Sequence, residues 1–491
     1  MPRPVPAPPA PWRFPAVRHE PGTVACHLPG CEPVAVRLVL PGGARREPEG
    51  LDGVAAVTAR TLAAGLTSRL EALGATLRAE VDLSSSRLVL DVPSRHLAEA
   101  METTARAVAE PVFDAGEVAA IRSELIEEFT LERAQPAVRA RWELLAALAA
   151  SGERAGRPPF GTPDTLARVG ADAVSAFHSA HKSAWATVLA GEIADLPNLG
   201  LPGEIADLPN LRLPGEIADH LPDLGLPGEF ADVSDLGLPG EIADLPNLGL
   251  PGEIADLPNL RLPGEIADLP NLRLPGVGAA VSVPGFAGGP RLVLVHREGA
   301  AQTHLAAGFG VAHRTGAAWA ALTVAWQVLG GGLSSRLNAV LREDRGYTYG
   351  FLTEPVPVGG AGLLVAEGAV HAEVTGESLG LLLAEVRRLA GGGITADECA
   401  SAVQALTFGA AARYETAQAV ADALASAVGD GLPVDHVDDL FRVLRELDAG
   451  TVSAAVSRHM ASAAPVVVAV GDARVVRGTL ESLGFPLTVV G

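Results

Sequence analysis

The stretch LGGGLSSRLNAVLREDRGYTYG, residues 329–350, decides how this chain is read. Its opening, LGGGLSSRLNAV at 329–340, has a counterpart far upstream in LAAGLTSRLEAL at 62–73. The match extends outward. Leu38 and Leu305 each stand 24 residues before the Leu that opens their segment, so the two regions are offset by 267 residues. Downstream, ATVLAGEI at 186–193 corresponds to PVVVAVGDA at 465–473. The chain is therefore read as two similar halves.

Each half has the same order of elements. An apolar strand comes first, VAVRLVLPGG at 34–43 or THLAAGFGV at 303–311. An Ala- and Leu-rich helix is expected at about 51–64 or 316–329, and a second short helix at the Ser-Arg-Leu motif. Strands follow, in LRAEVDLSSSRLVLDVP and in YTYGFLTEPV with GLLVAEGAV. Long amphipathic helices and a short β-rich run close each half. This mixed pattern predicts an α+β sandwich, a sheet with helices on one face, built twice.

Around 329–350 the expectations are specific. A helix should run from Ser334 to near Asp344, with Gly346 as its left-handed cap. A strand should begin at Tyr347, which places Arg342 in the last helical turn and puts Tyr347 and Tyr349 on one side of the strand.

Between the halves the unit GEIADLPNLGLP recurs seven times over 191–275. Six copies have 12 residues and the third has 13. We read the array as a tandem expansion of the interdomain linker. Two Pro in every unit but the fourth, which has one, oppose helix and central strand, so an extended acidic linker is one reading. A compact stack of turns burying Leu and Ile is the other, although 12 residues is far below the roughly 20–29 of leucine-rich units. The domains are then 1–190, 191–275 and 276–491.

Composition narrows the function. Of the 491 residues 48% are hydrophobic and 19% charged, a globular balance. Arg outnumbers Lys 36 to 1, with Lys182 the single lysine, as GC-rich bacterial codons would give. The net charge is −21, of which the array contributes −13 through 16 acidic residues against 3 Arg. An acidic body gives no electrostatic reason to bind nucleic acid. Cys26, Cys31 and Cys399 form no CxxC pair, which fits a reducing cytoplasm. The proline-rich start MPRPVPAPPAPWRFP has no apolar core of a secretion signal. No uncharged apolar run reaches the roughly 20 residues that span a bilayer. A cytoplasmic protein with no membrane or nucleic-acid partner is expected.

Residues 329–350 resemble the C-terminal half of the insulinase/pitrilysin family of zinc peptidases, including its bacterial members similar to mitochondrial processing peptidase. The pattern is a Gly-rich turn, a Ser-Arg-Leu helix start, then Leu-Arg and a Tyr seven residues on, here Arg342 and Tyr349. The resemblance covers both halves and excludes the array. It implies the sandwich halves of LuxS and processing-peptidase folds, and a substrate-binding role for Arg342 and Tyr349, which in the family hold peptide backbone near the metal.

It also implies a loss. Active members carry His-x-x-Glu-His on the first long helix, where two His four apart bind zinc and the Glu is general base. The internal alignment puts those positions in GVAAVTARTLAAG, at Ala56, Ala59 and Arg60. Ala has no donor atom, and Arg cannot be deprotonated to ligate a metal. The third ligand of the family would fall at Glu127 or Glu128. No metal or other cofactor is expected in this chain, and zinc only in a partner.

Other motifs add little. His178 and His181 form an HxxH without an acidic or Cys partner nearby in sequence, which suits a structural role. LGGG at 329–332 lacks the ending of a P-loop and the spacing of a dinucleotide site, and there is no G-x-S-x-G elbow. The expected function is the substrate-binding, non-catalytic subunit of a two-chain peptidase, whose partners are a zinc-bearing paralogue and an unfolded peptide. A scaffold or protein-binding subunit is the alternative, and an active enzyme with an unrecognised metal site a third.

Overall fold

The computed structural model describes residues 13–20, 22–149, 153–193, 291–311, 317–358, 361–460 and 465–491. The tandem array from residue 194 onward lies outside the described residues, so the linker reading and the 275/276 boundary are not placed.

Two six-stranded sheets form the body. The first contains β1 (Val17–Glu20), β2 (Thr23–His27), β3 (Val34–Pro41), β4 (Thr76–Val81), β5 (Ser85–Val92) and β6 (Ala186–Gly191), in the order β1-β2-β6-β3-β5-β4. The second contains β7 (Arg291–His296), β8 (Gln302–Val311), β9 (Phe351–Val358), β10 (Ala361–His371), β11 (Val466–Gly471) and β12 (Leu487–Val490), in the order β12-β7-β11-β8-β10-β9. Five strands correspond one to one. β6 runs parallel to β2 and antiparallel to β3, as β11 does to β7 and β8. The outer strands differ: β1 is antiparallel to β2, whereas β12 is parallel to β7.

The helices of the first half are α1 (Val54–Glu71), α2 (Leu97–Ala109), α3 (Ala115–Arg133), α4 (Pro136–Leu148), α5 (Pro163–Leu166) and α6 (Ala171–His181). Those of the second are α7 (Ala317–Gly330), α8 (Thr375–Ala390), α9 (Ala396–Arg413), α10 (Ala417–Asp430), α11 (His436–Glu446), α12 (Ala449–Met460) and α13 (Ala473–Glu481). Among the described residues no helix is long and apolar enough to cross a membrane.

The strands β3, β6 and β11 are buried almost throughout, apolar apart from Arg37 in β3 and Thr187 in β6, because both of their faces are covered. This corrects the expectation of helices on one face only. In the first half α1, α2, α3 and α6 pack on one face, through Val57, Leu66, Met101, Leu125 and Phe177. The opposite face, with Val24, Ala35, Val39 and Val188, is covered by Val420, Leu424 and Val428 of α10, a helix of the other half. The exchange is reciprocal: Ala140, Leu144 and Leu148 of α4 cover Val293, Val365 and Val468 of the second sheet. Gly308 lets α4 approach, since a Cβ there would sit 2.9 Å from Leu144 Cδ1. The two halves are thus interlocked rather than merely joined.

Two local expectations also change. In the first half the Ser-Arg-Leu motif does not start a new helix, because α1 runs unbroken from Val54 to Glu71. A single Gly65 is tolerated inside a helix at modest cost. In the second half the run Gly330–Gly332 ends α7, and the next helix begins at Arg336 and ends as a π-helical segment, Asn338–Asp344. Gly346 is the expected left-handed cap, with φ +65° and its N–H donating to Arg342 O at 3.1 Å. The strand starts at Phe351, not Tyr347. Tyr347 N–H is committed to Leu341 O at 2.8 Å, and pairing can begin only after the turn that follows. Asn338 pins that point: its amide accepts from Phe351 N and donates to Phe351 O, each at 2.9 Å.

Candidate functional site

The degenerate metal motif lies in the first two turns of α1. No Ser, Thr or Asp caps this helix. Gly53 enters it at φ +98°, and the buried Glu47 carboxylate accepts from Gly53 N and Ala55 N at 2.9 and 3.0 Å. A carboxylate at a helix N-terminus satisfies free N–H groups and meets the positive end of the dipole. Burial pushes the Glu47 carboxyl up to about 7, against the opposing pull of Arg154 and the two N–H groups.

Ala56 and Arg60 are four apart and share a helix face. They form the floor of a cleft of about 340 Å³, whose walls are Ala79, Glu80 and Val81 of β4, Glu128 and Glu132 of α3, and Pro159 with Phe160. Ala59 turns elsewhere. It is buried and borders a void of about 10 Å³ between α1 and α6, shared with Thr58, Ser86, His178 and Trp185.

The central contact of the cleft is an ion pair: Arg60 Nη2 lies 2.7 Å from Glu128 Oε2. Of the two carboxylates expected as a third ligand, Glu128 faces the cleft and Glu127 is exposed. Glu132, one turn further along α3, shares the cleft, and burial with the neighbouring Glu128 raises its pKa. Glu80 is engaged by Arg78 at 2.8 Å and Arg87 at 3.4 Å.

These residues do not fit a zinc ion. Two of the three motif positions carry no ligand atom, and the guanidinium of the third already satisfies the carboxylate that would complete the site. Among the described residues no group of three or more His, Cys, Asp or Glu side chains is placed to hold a metal.

The far wall is rigid. Phe160 packs edge-on against Trp142 with ring centres 5.6 Å apart, and Trp142 stacks on Phe129 at 5.2 Å. Arg154 ties the loop to the start of α1. It donates to Pro158 O and Pro159 O at 2.9 and 3.0 Å and pairs with Glu47 at 2.7 Å.

Arg342 and Tyr349 do not line this cleft. Arg342 is half-exposed in the last helical turn, its Nε 3.6 Å from Glu343 Oε1. Tyr349 is 90% exposed. Tyr347, expected on the same side, turns inward against the core and donates to Glu377 Oε2 at 2.8 Å. Leu333 and Leu352 are exposed on the segments that flank Arg342 and Tyr349.

His178 and His181 are packed side chains. His178 Nε2 is 2.8 Å from Val108 O and His181 Nδ1 2.8 Å from Phe177 O, and burial lowers the pKa of both rings. Sequence reasoning missed Glu132, Phe160 and the β4 wall. The i, i+4 spacing of Glu128 and Glu132 was a usable signal for the first. Phe160 reaches the cleft only through tertiary packing.

Residues 268–406 match the family described as Peptidase M16 inactive domain. No curated protein matches the chain. The fold is similar to that of a peptidase M16 inactive domain from Pseudomonas fluorescens, at 19% identity and TM-score 0.68, covering 94% of this chain and 97% of that one. A protease from Helicobacter pylori is similar at 15% identity and TM-score 0.68, covering 93% and 100%. A chain of complex III from Candida albicans is similar at 12% identity and TM-score 0.64, covering 95% and 98%.

Proposed function

We propose that the chain, whose residues 268–406 match the Peptidase M16 inactive domain, is an insulinase-family homologue acting as the non-catalytic, substrate-binding subunit of a two-chain peptidase. The observation that carries this reading is the Arg60–Glu128 pair at the motif positions. It replaces a metal site with an internal cation, in a chain that retains the Arg342 and Tyr349 signature. A zinc-bearing paralogue would supply the metal and the general base. Arg342, half-exposed and with its side chain near Glu343, has N–H groups to offer a peptide carbonyl. Tyr349, exposed seven residues further along the chain, has a hydroxyl to offer.

The test is assembly followed by hydrolysis. With the zinc-bearing paralogue of the same organism, Arg342→Ala should leave the assembled pair intact and lower its peptide hydrolysis by about tenfold or more, as expected for loss of a charge-assisted hydrogen bond. Unchanged hydrolysis would remove the substrate role.

The second reading is a scaffold without a part in proteolysis. The exposed Leu333, Tyr349 and Leu352 favour a protein-binding surface on these segments. In that case Arg342→Ala would change neither assembly nor hydrolysis, while charged residues at 333 and 352 would abolish assembly.

A further inference from the structure

We propose that Asn338 is a positioning residue, whose buried amide fixes the turn that presents Tyr349 relative to the helical segment that carries Arg342. This rests on the reading of Arg342 and Tyr349 as substrate-binding residues, and it names the side chain that sets their relative placement.

Segment 346–351 is closed onto the preceding helix at both ends. At its entry, Gly346 N donates to Arg342 O at 3.1 Å and Tyr347 N to Leu341 O at 2.8 Å. At its exit the tie is a side chain. Asn338 Oδ1 accepts from Phe351 N and Asn338 Nδ2 donates to Phe351 O, each at 2.9 Å. A primary amide carries an acceptor and a donor side by side, so it can pair with one residue's N–H and C=O as a neighbouring strand would. β9 is the edge strand of the second sheet among the described residues, and Phe351 faces Gly368 of β10 on its other side. Asn338 supplies the partner that the sheet lacks there. Its Nδ2 also reaches Gly332 O at 2.9 Å, which ties the glycine-rich turn to the same point.

The residues on either side of Tyr349 are all engaged. Tyr347 Oη donates to Glu377 Oε2 at 2.8 Å, Thr348 Oγ1 to Ala369 O at 2.7 Å, and Gly350 N to Thr348 Oγ1 at 3.1 Å. Phe351 is fully buried, whereas Tyr349 is 90% exposed. A ring so exposed adds little to the core. What the fixed turn does for it is to reduce the conformational entropy lost when its hydroxyl meets a ligand.

The residue type supports the same role. Asn is among the weaker helix formers, and a Leu of similar size would fill the site with no polar group to satisfy. Asn338 is only 1% exposed, and a buried amide is tolerated where its hydrogen bonds are made. The π-helical segment starts at this residue and carries Arg342. Such segments are frequent at functional sites. Both signature residues are therefore placed from one buried side chain, Arg342 along its own helical segment and Tyr349 two residues before the tie.

The experiment is a double-mutant cycle on the full-length chain assembled with the zinc-bearing paralogue. The probe is an internally quenched pool of random decapeptides, and the initial rate at low concentration reports kcat/KM. Asn338→Leu should lower kcat/KM about tenfold with Tyr349 in place, and less than about twofold in the Tyr349→Phe background. Its effect on melting temperature should be the same in both backgrounds, and the pair should still assemble. A merely structural Asn338 would lower hydrolysis equally in both. Should Asn338→Leu fail to fold, Asn338→Asp, which keeps the acceptor and loses the donor when ionised, takes its place in the cycle. On the chain alone, amide hydrogen exchange at Gly350 and Phe351 should quicken about tenfold or more in the variant, with β8 unchanged. Equal losses of kcat/KM in the two backgrounds, no loss in either, or unchanged exchange would overturn the inference. Where Tyr349→Phe alone lowers hydrolysis, each of those results leaves the partner-subunit reading standing. If Tyr349→Phe and Arg342→Ala both leave hydrolysis unchanged, that reading and this inference fall together.

Discussion

Arg37, fully buried in the middle of β3, donates through Nε to Asp422 Oδ1 of α10 at 2.6 Å, across the boundary between the two halves. Its remaining partners, Asp91 and the carbonyls of Val36 and Leu90, belong to its own half. The second half answers with reversed polarity. There the helix carries the cation, Arg141 of α4, and the sheet carries the anions, Glu367 at 2.7 Å and Glu354. His304 occupies the position that Arg37 holds in the first half, and burial lowers its pKa. Each helix that crosses between halves is therefore fixed by an ion pair as well as by apolar packing.

Asp422→Ala should destabilise the protein by about 1–3 kcal/mol. Removing one partner of a buried pair leaves a charge uncompensated, but Asp422 is itself part-exposed and Asp91 remains, so the loss falls below that of a fully buried pair. Adding Arg37→Met should recover part of it, since replacing both charges by apolar groups is often close to neutral. Urea denaturation of the two variants checks both values.

The crossing can also be tested through shape. Gly308→Val places a branched side chain against Leu144 and Leu148 of α4. Overpacking of this kind costs about 1–3 kcal/mol. Leu144→Ala in the same chain should return some of that loss although each substitution alone is destabilising, a non-additivity that a thermal-denaturation cycle measures.

Much of this was legible in the sequence and some was not. The doubled Ser-Arg-Leu segment predicted two similar halves, and the apolar runs at 34–43 and 465–473 predicted strands. The loss of ligand atoms at Ala56 and Ala59 follows from residue identity alone. The crossing of α4 and α10 was not legible, because an amphipathic helix does not state which sheet it covers. The late start of β9 was hidden for a similar reason: Asn338 acts on Phe351 through tertiary geometry, and an Asn in a helical pattern gives no sign of it. The cleft was half legible. Arg60 and Glu128 could be named, but their 2.7 Å contact and the Phe160 wall depend on how α1, α3 and a distant loop meet.

On mild acidification His178 should lower stability, against the opposite contribution of Glu47, whose raised carboxyl favours the folded state as pH falls below about 7. Burial lowers the folded pKa of His178 below the ordinary 6.5, so the unfolded chain takes up a proton there that the folded chain resists. The contribution is fully present above pH 6.5 and is lost as pH falls through the lower, folded value. His178→Gln, whose amide can still donate to Val108 O, should be less stable overall yet lose less melting temperature than the wild type between pH 6.5 and 5. An unchanged slope would assign the acid sensitivity to other groups.

Rebuilding the ligands should rebuild the affinity for metal. Ala56→His with Arg60→His places two imidazoles four apart on the cleft floor and frees Glu128 from its ion pair. The double variant is expected to hold close to one zinc per chain by elemental analysis, and Arg60→His alone well under one.

The most direct measurement of the account is zinc content and peptide hydrolysis of the purified, full-length wild-type chain, alone and with a zinc-bearing paralogue. The account predicts no bound zinc and no hydrolysis by the chain alone, and hydrolysis by the pair that depends on Arg342. Stoichiometric zinc together with hydrolysis by the chain alone would contradict it.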